Sequence, residues 1–219
     1  MITKTWTRIK KIWTGIPVWG KIGIGLGSML IIGLLIKGNS KKARQQHWVN
    51  RVDAILGPLN YIQRESVAAI VAAFEEYGDG DENKLIYMLA TAEHESSFEP
   101  KREYRANPSS QPSLYATQQK YWPSGYYGRG LVQITWESNY RELSPYIGVD
   151  LVKNPDLALN VKIAAKILVV GMMDGLFGHP LHRHINENVV DFYNARRTVN
   201  GTDKAARIEG IALSLSGGA

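Results

Sequence analysis

The chain contains no cysteine. That excludes a disulfide scaffold, a thiol nucleophile and any zinc site built on thiolates, while leaving the compartment open, since an exported protein need not carry disulfides. Acidic residues are missing from the first 52 positions, where every charged side chain, from Lys4 to Arg51, is basic. The net charge of +6 therefore averages two unlike regions, because from residue 52 onward 16 basic residues face 20 acidic ones. Phenylalanine is scarce, at four, yet eleven tyrosines, six tryptophans and a hydrophobic share of 44% exclude a disordered or low-complexity chain. A length of 219 residues gives room for one medium domain with an appendage.

A basic arm on a mildly acidic body points to nucleic acid or to a membrane, and the residues between the basic clusters decide. Residues 22–36 carry no charge, and extension back to Ile16 gives a segment that as a helix spans roughly 31 Å, enough to cross a hydrocarbon core. Lys21 lies near one end, where its ammonium can snorkel to the headgroups, and Trp6, Trp13 and Trp19 precede it as interfacial aromatics. No small-x-small cleavage site follows before the lysines, so an uncleaved single-pass anchor is preferred to a signal peptide. Nucleic acid is not an expected partner, because residues 16–36 are too apolar for a solvated arm. Gly23 and Gly27 make one G-x-x-x-G, a face for helix self-association. The expected organisation is a basic segment over 1–15, a transmembrane anchor over 16–36, a basic linker over 37–55 and a globular body over 56–219.

Within the body the apolar spacing predicts helices over 59–77, 83–96, 137–147, 155–176, 188–199 and 203–215, with loops over 99–125 and a short strand or buried turn over 130–135. The fold class is α+β, predominantly α-helical, with a small β section. Asp79-Gly-Asp81-Glu-Asn83 opens like a calcium loop, but Lys84 and Ala90 stand where that loop needs glycine and glutamate, so it reads as a helix-capping turn. His179, His182 and His184 form H-x-x-H-x-H, read as a solvated loop rather than a metal site. No metal or cofactor is expected.

The segment from Ala92 to Glu103 carries the chemistry. Glu95 falls on the last turn of a helix whose apolar side holds Leu89 and Ala92, where a partly desolvated carboxyl can stay protonated as a general acid. Glu103 follows in a loop. Two carboxylates placed by different elements are what glycoside cleavage requires, one to protonate the leaving oxygen and one to activate water; simple solvated charges are the alternative reading.

Taken together, AEHESSF (92–98), KREY (101–104), YYGRGLVQITWESNY (126–140), NPDLAL (154–159) and NARRTVNGTDKAARIEG (194–210) resemble glycoside hydrolase family 19, the group of chitinases and endolysins of bacterial viruses. The resemblance runs over about residues 60–215 and implies a lysozyme-like α+β fold. It makes Glu95 the general acid and Glu103 the general base, with Glu99 as fallback. It places Gln133 and Thr135 in the cleft, Thr135 helping to hold the nucleophilic water, and gives substrate contacts to Asn139, Tyr140, Tyr127, Asn200 and Arg207. Arg129 is implied to tie its loop to a buried carboxylate. The rings of Tyr126, Tyr127, Trp136 and Tyr140 offer faces for sugars. The cysteines of plant chitinases are missing and the span between the two glutamates is short, which favours peptidoglycan over chitin. The resulting expectation is a membrane-anchored, peptidoglycan-degrading glycosidase, in a host inner membrane or a virion membrane, with its catalytic domain facing the cell wall. The alternatives are a lytic transglycosylase, a chitinase, and a non-catalytic glycan-binding or structural membrane protein.

Overall fold

A computed structural model describes residues 38–217. The chain divides after Arg44 into two compact units; residues 38–44 of the first are helical. The expected anchor over 16–36, with Gly23 and Gly27, lies outside the described residues. Among the described residues no helix is long and apolar enough to cross a membrane.

The second unit opens with α1, residues 45–56. The expected linker over 37–55 is here corrected: its described residues are helical, and Trp48, Val49 and Val52 enter the hydrophobic core. These three lie on one face at helical spacing, a signal that the surrounding polar composition of the segment obscured. α2, Tyr61–Tyr77, begins with a reciprocal capping box between Asn60 and Gln63. It stops at Gly78, where a Cβ would strike the Phe74 ring at 2.5 Å.

The central helix α3, Glu82–Ser96, is capped by the Asp81 side chain and buried along almost its entire length. The D-x-D-x-N segment is thus a capping turn. It also pairs the Asp79 carboxylate with the ammonium of Lys84, a side chain only 4% exposed. Burial alone would raise the Asp79 carboxyl, but the bonds from Lys84 and the Asp81 N–H outweigh it and hold the carboxyl below its ordinary range.

Beyond α3 come β1, Lys101–Arg102, the short α4, Pro112–Gln118, and β2, Arg129–Gly130, which pairs antiparallel with β1 in the register Lys101 to Gly130 and Arg102 to Arg129. α4 interrupts the expected loop over 99–125. The chain after β2 turns at once, and Ile134 bridges back to Arg129, so the segment 130–135 is a buried turn. α5, Glu137–Ile147, keeps its expected bounds despite Pro145.

The predicted helix over 155–176 is two elements, a 3-10 turn Pro155–Leu159 and α6, Val161–Asp174. Asn160 breaks them because its side chain accepts from the N–H groups of Lys162 and Ile163 and starts a new helix. The predicted helix over 188–199 does not form. In its place stand a tight hairpin of β3, Ile185–Asn186, with β4, Val189–Val190, and a 3-10 turn Asn194–Thr198. α7, Ala205–Ser216, closes the fold. α2 packs on α6 and α3 on α7, and the apolar faces of α1, α2, α3, α6 and α7 share one core. Arg51 of α1 donates to the Leu215 carbonyl at 2.7 Å, satisfying an orphan acceptor at the end of α7.

Candidate active site

Glu95 sits on the last turn of α3, immediately before Ser97 and Phe98, both left-handed with φ of 53° and 58°. Its carboxylate accepts a 2.5 Å bond from Nη1 of Arg196, whose Nε donates to the Asp203 carbonyl at 3.0 Å. Arg196 is buried and the Glu95 side chain is 18% exposed. Glu95 is therefore held by a guanidinium from the 3-10 turn 194–198, where sequence reading anticipated apolar neighbours. The only sequence signal for this partner is the Arg-Arg pair 101 residues downstream.

Its helix neighbours extend the polar cluster. Burial pushes the half-buried Glu93 carboxyl up, against the fields of Arg207 and Lys101. Burial likewise pushes His94 down, and its Nδ1 has no hydrogen-bond partner.

Glu103 follows β1 directly. One carboxylate oxygen accepts from the Tyr121 hydroxyl at 2.6 Å and from Gln118 Nε2 at 2.9 Å, and the other from the Gly128 N–H at 3.0 Å. The Glu103 N–H in turn donates to the Gly128 carbonyl. A Cβ at Gly128 would lie 3.2 Å from Oε2 of Glu103 and 3.0 Å from Oε1 of Gln133, so a glycine lets the backbone come this close. Burial, and then the bond to Glu103, raise the Tyr121 phenol above its ordinary value and keep it a donor. Sequence reading missed Gln118 and Tyr121, which reach Glu103 only because α4 folds back over it.

The turn after β2 supplies the polar groups expected of the cleft. Gln133 donates to the carbonyls of Lys101 and Gly130 at 2.9 and 2.8 Å and thereby ties the turn to β1. Thr135 donates to the Gln133 carbonyl, and Asn139 to the Thr135 carbonyl. Gln133 and Trp136 flank this turn with positive φ, 53° and 75°, backbone strain that surrounding contacts must hold.

One expected substrate contact is corrected by burial. Tyr140 has no exposed surface; its hydroxyl donates to the Tyr127 carbonyl, and burial pushes its phenol up to about 12. The Tyr127 ring, partly exposed, stacks on Trp122 at 4.4 Å and carries the Arg129 guanidinium 4.0 Å from its centre. Tyr126 donates to the Val152 carbonyl and leans on Tyr140. Of the four expected sugar platforms Trp136 is the exposed one, at 46% and edge-on to Tyr121, while Tyr126 and Tyr127 are partly exposed and Tyr140 is buried. Asn200 and Arg207 are exposed, the latter at the start of α7.

Arg129 ties its loop as implied, donating to the carbonyls of Gly125 and Tyr127 and to the Tyr140 hydroxyl. Its carboxylate partner, Asp156 at 2.8 Å, is half-exposed rather than buried and is shared with Arg102. The hydrogen bonds from Arg102 and then Arg129 hold the Asp156 carboxyl below its ordinary range, net of burial. A depressed folded value adds stability above the unfolded value and loses it as pH falls through the folded one. Asp156→Asn is therefore expected to melt below the wild type at pH 7, with the difference closing as pH drops below about 4. Thermal melts of both proteins across that range check this, and a gap independent of pH would refute it.

Among the described residues no group of three His, Asp or Glu side chains is placed to hold a metal ion. His179 and His184 meet with ring nitrogens 3.3 Å apart, while His182 is exposed.

The chitinase class I model of glycoside hydrolase family 19 matches residues 66–173. An endochitinase of Arabidopsis thaliana is 35% identical over 100 residues, which are 44% of this chain and 34% of that one. The basic endochitinase of Vitis vinifera is 46% identical over 50 residues, 21% of this chain and 16% of its own. Chitinase 12 of rice is 29% identical over 139 residues, 54% of this chain and 43% of its own. The chain thus spans less than half the length of each of these relatives. A solved bacterial family 19 chitinase aligns at 20% identity with a TM-score of 0.41, over 76% of this chain and 93% of that one. The matched segment contains Glu95, Glu103, Gln133, Thr135 and Asn139; Arg196, Asn200 and Arg207 lie beyond it.

Proposed function

We propose that the protein is a glycoside hydrolase that cuts a β-1,4-linked, N-acetylhexosamine-containing glycan. The observation that carries this reading is the pair Glu95 and Glu103, set by different elements in different polar surroundings. Glu95 as general acid gives its proton to the glycosidic oxygen, and the carboxylate it becomes is stabilised by the Arg196 guanidinium 2.5 Å away. Glu103, oriented by Gln118, Tyr121 and the Gly128 N–H, takes a proton from the water whose oxygen bonds to the anomeric carbon as the leaving oxygen departs. Thr135 positions that water, and Trp136 offers its open face to a sugar ring.

The similarity to endochitinases supports a chitin-like backbone. The eight-residue step from Glu95 to Glu103 in a chain without cysteine favours peptidoglycan among such glycans. The finer reading keeps residues 16–36 as a bilayer anchor, with Gly23 and Gly27 as a pairing face, in a host or virion membrane of an endolysin-like enzyme whose body faces the wall.

Digestion of purified peptidoglycan and of N-acetylglucosamine oligomers by the full chain in detergent, with mass analysis of the products, tests the reaction. Reducing-end products from the wild type, lost in Glu103→Gln, support a two-carboxylate hydrolase. Anhydro ends that survive Glu103→Gln would establish a transglycosylase, and wall binding without release a binding module. Tyr121→Phe removes one of the three donors to Glu103 and is expected to lower kcat/KM roughly tenfold or more, the worth of a hydrogen bond to a charged group. An unaltered rate would remove Tyr121 from the machinery.

A further inference from the structure

The segment that carries Glu103 also carries an arginine whose N–H groups no internal hydrogen bond or ion pair consumes. Gln118, fully buried, clamps the backbone on both sides of it: Nε2 donates to the Tyr104 carbonyl at 2.8 Å, and Oε1 accepts from the Ala106 N–H at 2.7 Å. The same Nε2 reaches Glu103, so one amide fixes residues 103, 104 and 106 together. Arg105 lies between these anchor points. Tyr104 beside it points to solvent, 84% exposed.

The guanidinium of Arg105 lies 4.9 Å from the centre of the Tyr115 ring and 4.8 Å from that of Trp122. Trp122 stacks on Tyr127, and Tyr127 carries Arg129, so Arg105 is the outer end of a ladder of cations and rings. Arg129, at the inner end, spends its N–H groups on Asp156, two carbonyls and the Tyr140 hydroxyl. Among the described residues Arg105 has no carboxylate within ion-pair distance and no hydrogen-bond partner, and it is exposed. Its field is nonetheless felt at Tyr121, the phenol bonded to Glu103. A guanidinium held over rings by cation–π contact keeps its N–H edges free, and those edges match a carboxylate bidentately.

We propose that Arg105 is a specificity residue that binds a carboxylate borne by the glycan, next to the bond being cut. The proposal rests on the glycosidase reading and narrows it to acidic glycans. Chitin carries no carboxylate. Peptidoglycan carries them in two places, on its stem peptides and, once a stem is removed, on the lactyl group of each muramic acid.

The test uses the full chain in detergent on peptidoglycan with its stems, the same glycan stripped by an amidase, and neutral N-acetylglucosamine oligomers. In Arg105→Gln the ratio of kcat/KM on an acidic glycan to that on the neutral one is expected to fall roughly 10- to 100-fold, chiefly through KM, the worth of a charge-assisted hydrogen bond. Arg105→Lys keeps the charge without the flat fork and should recover part of the loss. A fall confined to stem-bearing glycan assigns the contact to peptide carboxylates, and a fall on stripped glycan to the lactyl group; both support the proposal. A ratio equal to wild type in both variants overturns it. Cleavage of none of the three by the wild type would overturn the glycosidase reading instead, and co-sedimentation of the same glycans with wild type and Arg105→Gln then decides Arg105 on binding alone, equal binding overturning it.

Discussion

Glu95→Gln is expected to lower glycan cleavage by about 10²- to 10⁴-fold, the usual worth of a positioned proton donor. The amide keeps the shape of the carboxyl and can still accept from Arg196, but it has no proton to give the leaving oxygen. The loss should fall on kcat, because Glu95 acts in the transition state and binding of the sugar rests on other groups. The fold should persist with a lowered melting point, since the buried guanidinium of Arg196 exchanges a charged acceptor for a neutral one while keeping its bond to the Asp203 carbonyl. Steady-state kinetics beside a thermal melt separate the two effects. A variant that retains more than a tenth of the wild-type kcat would show that Glu95 is not the acid.

The largest stability effect is expected at a residue that touches no substrate. Gly130 ends β2 with φ of +83°, and a Cβ there would lie 2.8 Å from the backbone carbonyl oxygen of Ala158. Both terms oppose a side chain: alanine is strained at that φ, and the obstructing atom belongs to a backbone that cannot swing aside. Gly130→Ala should cost about 3 kcal/mol and roughly 6–12 °C in Tm for a domain of this size. Because β2 leads into the Gln133 turn, activity should fall with it even below the melting point. A Tm within 2 °C of wild type, read by calorimetry, would contradict the packing of β2 on the 155–159 turn.

Where helices are long and their caps local, the chain spells them out. Asn60 with Gln63, Asp81 before α3 and Gly148 after α5 satisfy helix ends from a few residues away, so their positions follow from short-range chemistry. The misreadings share a different cause. Asn160 restarts a helix inside a segment whose apolar spacing continues on both sides of it, and the two-residue strands at 185–186 and 189–190 are too short to show an alternating period. Trp48, Val49 and Val52 looked like part of a polar linker because the charged and amide residues around them mask their one-face spacing.

The site divides along the same line. Glu95, Glu103, Gln133, Thr135 and Asn139 are carried by compact motifs, and the resemblance of those motifs to family 19 nominates them. Their partners are not adjacent: Arg196 reaches Glu95 across 101 residues, Tyr121 and Gln118 reach Glu103 across 18 and 15. Tyr127 and Tyr140 have the right chemistry for sugar contact, and packing buried Tyr140 in the core and set Tyr127 against Trp122 and Arg129. The sequence by itself determined the absence of thiol chemistry, the basic start and acidic body, the main helices with their caps, and the two candidate carboxylates. Only the tertiary structure decided which groups hold those carboxylates, which aromatic faces remain open and that the N–H groups of Arg105 are left unspent, because burial and hydrogen bonding between distant segments are properties of the packed chain and not of any stretch of it.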